Sequence, residues 1–316
     1  MSQSESLPPC TMPTIYFIGV TTTQSSIMKV FPKWSEILGL DAQIRGYDAP
    51  IHAPAETYRR IVAHIQHDPL ALGALVTTHK IDLLDATRDL FDSLDDYARL
   101  CGEISSISKR DGHLEGHAKD PISSGLAWEA FVPRAYFADR HADVLCLGAG
   151  GAATALAVSL AGLPDSADRP RKFIAVDRTQ ARLAALQAIV TQLPPAIEFE
   201  YVLSDEPHQN DALLAALPTG SVVINATGMG KDTPGSPISD QARFPEQGRV
   251  WEMNYRGALD FLHQAQRQAN SRALTVEDGW VYFLHGWTQV IAQVFHLQLT
   301  PEFMDRLADA AAPIRL

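Results

Sequence analysis

The stretch VLCLGAGGAATALA, residues Val144–Ala157, decides the fold. Four apolar residues of strand character run straight into Gly148-Ala149-Gly150-Gly151, and an alanine-rich helix is predicted to follow over Ala152–Leu163. Glycines at such a junction leave no Cβ between the backbone and a pyrophosphate. The helix start offers free N–H groups and a partial positive charge. Gly148, Ala149, Gly150, Gly151 and Ala152 are therefore candidate contacts for a dinucleotide.

Reading outward, strands and helices alternate. Phe173–Asp177 is the next predicted strand, Thr179–Leu193 the next helix, and Phe199–Leu203, Val222–Ala226 and Val250–Met253 are further short apolar strands. Upstream, Ile15–Val20, Gln43–Tyr47 and Ala71–Val76 read as strands, with helices over Val30–Leu38 and Thr57–His67. Gly125–Phe137 reads as a connecting helix. Trp280–Leu297 shows helical spacing, with Phe283, Trp287, Ile291 and Phe295 on one side. Alternation of this kind implies βαβ units and mostly parallel sheets, hence an α/β fold class. A chain of 316 residues accommodates two cores. The reading places an N-terminal α/β substrate domain at 1–124, a Rossmann-like NAD(P)-binding domain at 125–279, and C-terminal helices at 280–316 that return to the first domain.

Two later segments belong to the dinucleotide reading. Asp177 at a strand end is placed to accept hydrogen bonds from a ribose 2′-OH, which favours NAD, while Arg178 beside it can meet a 2′-phosphate, which favours NADP. Thr179 completes the turn. Asn225, Ala226, Thr227, Gly228 and Met229 form a polar, glycine-bearing loop after a β-branched strand, and they are expected near the nicotinamide half together with Met253. NAD is favoured slightly over NADP, because Asp177 would meet a 2′-phosphate with like charge.

Composition narrows the partners. The formal charge is −11, so binding to nucleic acid is not expected. No stretch approaches the ~18 apolar residues of a membrane helix. The opening MSQSESLPPCTM lacks the features of a signal peptide, and its first ten or so residues are expected to be a mobile tail. The three cysteines, Cys10, Cys101 and Cys146, form no C-x-x-C pair, which fits a reducing cytoplasmic location without a disulfide or zinc framework. Cys101 and Cys146 read as buried apolar residues. The eleven histidines include no H-E-x-x-H pattern, so no metal is expected; His113 and His117 lie in a glycine-punctuated hairpin.

Ordered segments across nearly the whole chain resemble the shikimate/quinate dehydrogenase family. GAGGAATA resembles that family's GAGGAxRA turn, and DRT at 177–179 its NRT segment. INATGMG at 224–230 resembles INATSxGM. Ala98, Gly102, Gly116 and Asp120 fall where the family has its A…GAVNT…DGxLxGxNTD block. Lys80 in VTTHK is similar to the lysine of NVTxPxK, and Gly286 in FLHGWTQV resembles the late QGA segment. The resemblance implies a two-domain enzyme that oxidises a secondary alcohol of a small hydroxylated acid, reversibly with the ketone. It implies Lys80 and Asp120 as the catalytic pair beside the reacting hydroxyl. A lysine withdrawn from water serves as a proton-transfer group, and a neighbouring carboxylate orients it.

The substrate positions depart from the pattern. The family's paired serines appear as Ser25 and Ile27, its Asn-Thr pairs as Ser105-Ser106 and Ala118-Lys119, and its late glutamine as His285 followed two residues on by Trp287. The family threonine falls at Val76 in an ungapped register from Lys80, with Thr77 next to it. Tyr255 is kept, with Arg256 beside it. Ser25, Thr77, Ser105, Lys119, Tyr255 and His285 are the expected substrate contacts. Each polar partner lost from a polyol site costs ~1–3 kcal/mol, which makes shikimate itself a doubtful substrate. Lys119 and Trp287 point instead to an added cation and an aromatic wall. Two other readings stand beside this one: a tightly held NAD serving a net non-redox elimination or isomerisation, and a non-catalytic dinucleotide-binding protein. The methylenetetrahydrofolate dehydrogenases share the two-domain plan but fit the INAT and late glycine segments less well. A monomer or a homodimer is compatible with the sequence.

Overall fold

The structure, a computed structural model, describes residues 7–315. The described residues up to Lys119, with those from Gly286 onward, form one compact unit, and Asp120–His285 form the other. These divisions fall at 119/120 and 285/286, where the sequence reading placed them at 124/125 and 279/280.

The first unit begins with β1 (Thr14–Gly19), α1 (Ile27–Leu38), β2 (Gln43–Asp48), α2 (Ala55–His67), β3 (Ala71–Val76) and α3 (Lys80–Thr87). It continues with β4 (Ser93–Leu94), α4 (Asp96–Cys101), β5 (Ser106–Arg110) and β6 (His113–His117). The strand order is β2-β1-β3-β5-β6-β4. β1 is buried along its whole length and pairs in parallel with both β2 and β3. α1 buries Ile27, Val30, Phe31 and Trp34, one apolar stripe at helical spacing, and ends at Gly39 in the left-handed region. Two of this sheet's five strand pairings are antiparallel. β5 runs antiparallel to β3, and β6 antiparallel to β5. Asp111 and Gly112 between them have φ of +51° and +83°, the positive pair that a two-residue hairpin turn requires.

The second unit starts with α5 (Asp120–Phe131), which begins and ends about five residues before the predicted connecting helix. Pro133 lacks an N–H and bars helical continuation. Then follow β7 (Val144–Leu147), α6 (Gly151–Ala161), β8 (Lys172–Asp177), α7 (Gln180–Val190), β9 (Glu198–Leu203) and α8 (Pro207–Ala215). β10 (Val222–Asn225), β11 (Arg249–Glu252), α9 (Asp260–Arg272) and β12 (Thr275–Glu277) complete the sheet. All six strands are parallel, in the order β12-β11-β10-β7-β8-β9. β7 shows why both faces must be covered. Val144 and Cys146 enter one core with Leu156, Phe173 and Trp251, while Leu145 and Leu147 enter another with Leu214, Phe244 and Phe261.

The helix α10 (Trp280–Val294) carries the second division, and α11 (Pro301–Ala311) follows it. Within the first unit Trp34 donates its indole N–H to the Leu307 carbonyl at 2.7 Å, and Phe31 packs on Phe295. The C-terminal segment thus closes over α1. Residues 1–6 of the expected tail lie outside the described residues. The rest of it is not a tail: Leu7 packs against the core, and Cys10 is buried. Cys146 is buried as expected, whereas Cys101 is partly exposed. Among the described residues no helix is long and apolar enough to cross a membrane.

Candidate functional site

In the second unit the strand order reverses between β7 and β10, and ligands of open parallel sheets sit beyond the strand ends at such a reversal. The glycine turn follows β7 there, and the Asn225–Gly230 loop follows β10. The two touch. A Cβ on Gly148 would lie 2.8 Å from the Ala226 carbonyl oxygen and 3.1 Å from the Thr227 nitrogen, and Gly148 has φ +109°. Only glycine fits there without strain. Gly150 differs, because a Cβ placed on it meets nothing within 4 Å. It is the N-cap of α6 and makes no side-chain cap, so the helix start is left with N–H groups and an open approach. Gly151 is exposed and Ala152 half-buried at this helix start. These features fit a pyrophosphate.

Asp177, at the end of β8, is buried. Its Oδ1 accepts the Thr179 N–H at 2.8 Å, and its Oδ2 accepts the Ala149 N–H at 2.9 Å. The carboxylate thereby ties the ribose-side strand end to the phosphate turn. Arg178 is exposed, and Arg182 stands 3.9 Å from Asp177. Burial, with the Asp177 charge adding to it, pushes the Cys146 thiol far up, so that side chain is inert packing beneath the turn.

The loop after β10 is held by a buried polar network in which Asn225 and Thr227, expected near the nicotinamide, are joined by Glu252 and Asn254, which the sequence did not single out. Asn225 and Glu252 are register partners on β10 and β11, both fully buried. Asn225 donates Nδ2–H to Glu252 Oε2 at 2.6 Å, and its Oδ1 accepts from the Thr227 N–H and hydroxyl. Glu252 Oε1 accepts from the Asn254 N–H and Nδ2, and that amide also donates to the Thr227 carbonyl. Burial pushes the Glu252 carboxyl up to about 7, against the opposing pull of the Asn225 and Asn254 donors. Met253 is buried, and its N–H is bonded to the Asn225 carbonyl. Gly228 is exposed and Met229 half-buried. The only sequence signal for this network was the pair of polar residues ending adjacent apolar strands.

In the first unit, most of the predicted catalytic and substrate residues gather at one sheet edge. The Val76 N–H bonds to the Ser105 carbonyl, and the Ser105 N–H to the His117 carbonyl, so the ends of β3 and β6 align with the start of β5. Thr77 follows directly, its N–H on the Ile18 carbonyl at the end of β1. The Ser105 hydroxyl accepts the Lys119 N–H at 2.7 Å. Lys80 is the first residue of α3, and its carbonyl accepts the Ile104 N–H. Ser25 ends a short helical turn after β1, and that loop is fastened by Thr22 to Asp48 at 2.6 Å. Burial lowers the Lys119 ammonium pKa, with Asp95 and Glu115 opposing. Trp287 is buried edge-on against Phe17, a packing role.

The remaining predicted residues belong to the second unit. Asp120 opens α5. Tyr255 packs on Phe283 and Trp280, with ring centroids 4.6 and 5.7 Å away. His285 sits on α10, where burial lowers its pKa and favours the neutral imidazole.

No family model matches the chain. It is 30% identical to a protein of Caulobacter vibrioides named shikimate dehydrogenase (NADP(+)), over 237 residues that span 74% of this chain and 73% of that one. A shikimate dehydrogenase (NADP(+)) of Streptococcus thermophilus is also 30% identical, over 181 residues; the match spans 56% of this chain and 58% of that protein's length. Among solved structures, a quinate dehydrogenase from Corynebacterium glutamicum in complex with NAD superposes with a TM-score of 0.73 at 18% identity, covering 96% of this chain and 99% of that one. A shikimate dehydrogenase in complex with NADP+ superposes with a TM-score of 0.72 at 19% identity over the whole of both chains. These two likenesses establish the fold.

Proposed function

The chain belongs to the shikimate dehydrogenase family, a family of NAD(P)-dependent oxidoreductases acting on CH–OH groups, and on that premise we propose a dehydrogenase with a changed substrate. It oxidises a secondary alcohol of a small hydroxylated ring acid, reversibly. The observation that carries this reading is the strand reversal at β7 and β10, where the Gly148 turn abuts the Asn225–Met229 loop beneath an open helix start.

A dinucleotide bound there supplies the hydride acceptor. Gly150, Gly151 and the first N–H groups of α6 would hold its pyrophosphate. Asp177 would face the adenosine ribose. NAD is favoured over NADP because the buried Asp177 charge repels a 2′-phosphate, although the exposed Arg178 offers a counter-charge. Asn225, Thr227 and Met253 would border the nicotinamide half. Lys80 and Asp120 handle the proton of the reacting hydroxyl: one takes it as the hydride leaves, and the other orients the donor. Lys119 meets the substrate carboxylate, and Ser25, Thr77, Ser105, Tyr255 and His285 meet its hydroxyls. The Ser105 oxygen already accepts from the Lys119 N–H, which leaves its O–H and one lone pair for a ligand.

Shikimate itself is a poor substrate under this proposal, since Ile27 and Ala118 bring no hydrogen-bonding group in place of family polar ones. Lys80→Ala tests the assignment. Turnover should fall by about 10²-fold or more while the dinucleotide Kd stays within about twofold. Unchanged turnover on a true substrate removes Lys80 from the mechanism.

A further inference from the structure

Away from the dinucleotide turn and the Lys80 edge, one side chain from before β1 meets two from the end of α2. Cys10 lies before β1, His64 is on α2, and Asp68 follows that helix. The Cys10 sulfur is 3.8 Å from His64 Nε2, and that nitrogen is 3.7 Å from Asp68 Oδ2. All three atoms lie within 4.8 Å of one another. Ligand atoms on a zinc tetrahedron stand roughly 3.3–3.6 Å apart, given metal–ligand bonds of about 2.0–2.3 Å. The separations recorded here for sulfur–nitrogen and nitrogen–oxygen are within a few tenths of an ångström of those edges.

The arrangement is not a relay of nucleophile, base and acid. Such a relay uses both imidazole nitrogens, one toward the nucleophile and one toward the carboxylate. Here one nitrogen, Nε2, faces the sulfur, the carboxylate and the Tyr16 hydroxyl at 2.9 Å. Sulfur and carboxylate meeting at one imidazole nitrogen suit a cation, which would take the Nε2 lone pair that the Tyr16 hydroxyl, also 3.4 Å from the Cys10 sulfur, now meets. Asp68 is already aimed: its Oδ2 accepts the Cys10 N–H at 2.6 Å, and its Oδ1 accepts the Leu70 N–H at 2.9 Å. Each oxygen keeps a lone pair. The same three residues line a surface cavity of about 750 Å³, so the site has an entry path and room for a fourth ligand such as water.

We propose that Cys10, His64 and Asp68 form a binding site for a thiophilic divalent ion of the zinc class. A thiolate and a carboxylate balance the ion's two charges, the thiol proton leaving as the ion enters, so the loaded site is neutral beside Lys109, whose Nζ donates to the Asp68 carbonyl, and Arg45 near Tyr16. The Arg59 guanidinium on the cavity rim is paired with Asp89. The ion fastens the segment before β1 to the end of α2. The chain's three-residue ligand set escapes motif searches because Cys10 stands 54 residues from His64.

The test is a cobalt(II) titration of the full chain, stripped with a chelator and kept reduced. The proposal expects one equivalent bound, with tetrahedral visible bands, a thiolate-to-cobalt charge-transfer band, and displacement by zinc. Cys10→Ser should abolish the charge-transfer band, and Asp68→Asn should weaken affinity by ~100-fold or more, since loss of a direct ligand costs at least the upper end seen for outer-shell partners. Cys101→Ser should change neither. A wild-type protein that stays spectrally silent with cobalt overturns the proposal, as does a charge-transfer band that survives Cys10→Ser. Neither outcome touches the dehydrogenase assignment, which is read separately by nicotinamide reduction.

Discussion

Gly148→Ala and Gly150→Ala should separate folding from binding within one turn. At Gly148 the added methyl meets backbone on the far side of the strand reversal, 2.8 Å from the Ala226 oxygen and 2.9 Å from its carbon. Backbone cannot rotate away as a side chain does. The φ of +109° adds strain for any L side chain. Conformational strain of this kind costs about 1–3 kcal/mol, and overpacking about 1–3 kcal/mol more. Gly148→Ala is therefore expected to destabilise the second unit by about 2–6 kcal/mol, a large share of a typical domain's stability. At Gly150, φ is −83° and the Cβ has open space. There the stability change should stay within ~1 kcal/mol, since a poorer N-cap and a stiffer unfolded chain oppose each other. The methyl instead occupies the cradle, so dinucleotide affinity should fall tenfold or more. Urea unfolding and a fluorescence titration with NAD and NADP, run on both variants, read the two effects. If Gly148→Ala unfolds like wild type, or Gly150→Ala binds both dinucleotides as wild type does, the geometry assigned to this turn is wrong.

Three further outcomes follow from the same structure. Glu252 is held near 7 in the fold against an ordinary 4.5, so its contribution to stability is fully present below about pH 4.5 and lost as pH rises through 7. That difference is on the order of 3 kcal/mol; the stability of wild type relative to Glu252→Gln should decline by this amount across the window in urea unfolding, and a flat difference would contradict it. Asp177→Asn removes the charge, and with it one of the two oxygens that accept the Thr179 and Ala149 N–H groups, and should raise the kcat/KM ratio for NADP over NAD by about tenfold; an unmoved ratio would mean that Asp177 serves only the turn. Lys119→Met should raise KM for a carboxylate substrate about tenfold without changing the dinucleotide Kd, and an unchanged KM would place the carboxylate elsewhere.

Much of this was legible in the residues themselves. The strand–glycine–helix junction at Val144–Ala157 needed no tertiary information, because an apolar run, a break in Cβ atoms and a change of period are all local. β1, β2 and β3 were visible for the same reason. The antiparallel course of β5 and β6 was less so, since Ser106, Ser108 and His117 are polar residues buried by pairing and by neighbours far along the chain. The α5 boundary slipped because Gly125 looks like a start, whereas Asp120-Pro121 is one. Asp177 was read as a ribose contact; its bond to Ala149, 28 residues back, is a tertiary fact. Glu252 looked like a polar strand end, and only the register with Asn225 shows that it is a buried acid carrying the loop. The Cys10, His64 and Asp68 cluster joins a segment expected to be a mobile tail to the end of a helix 54 residues on, a pairing that no local pattern shows.

The central claim is tested most directly by incubating the purified chain with a panel of hydroxylated ring acids and either NAD or NADP, and following the absorbance of the reduced nicotinamide. The account predicts net reduced nicotinamide in step with ketone for at least one ring acid other than shikimate, abolished by Lys80→Ala. Tight dinucleotide binding with no reduced nicotinamide from any member of the panel would contradict it.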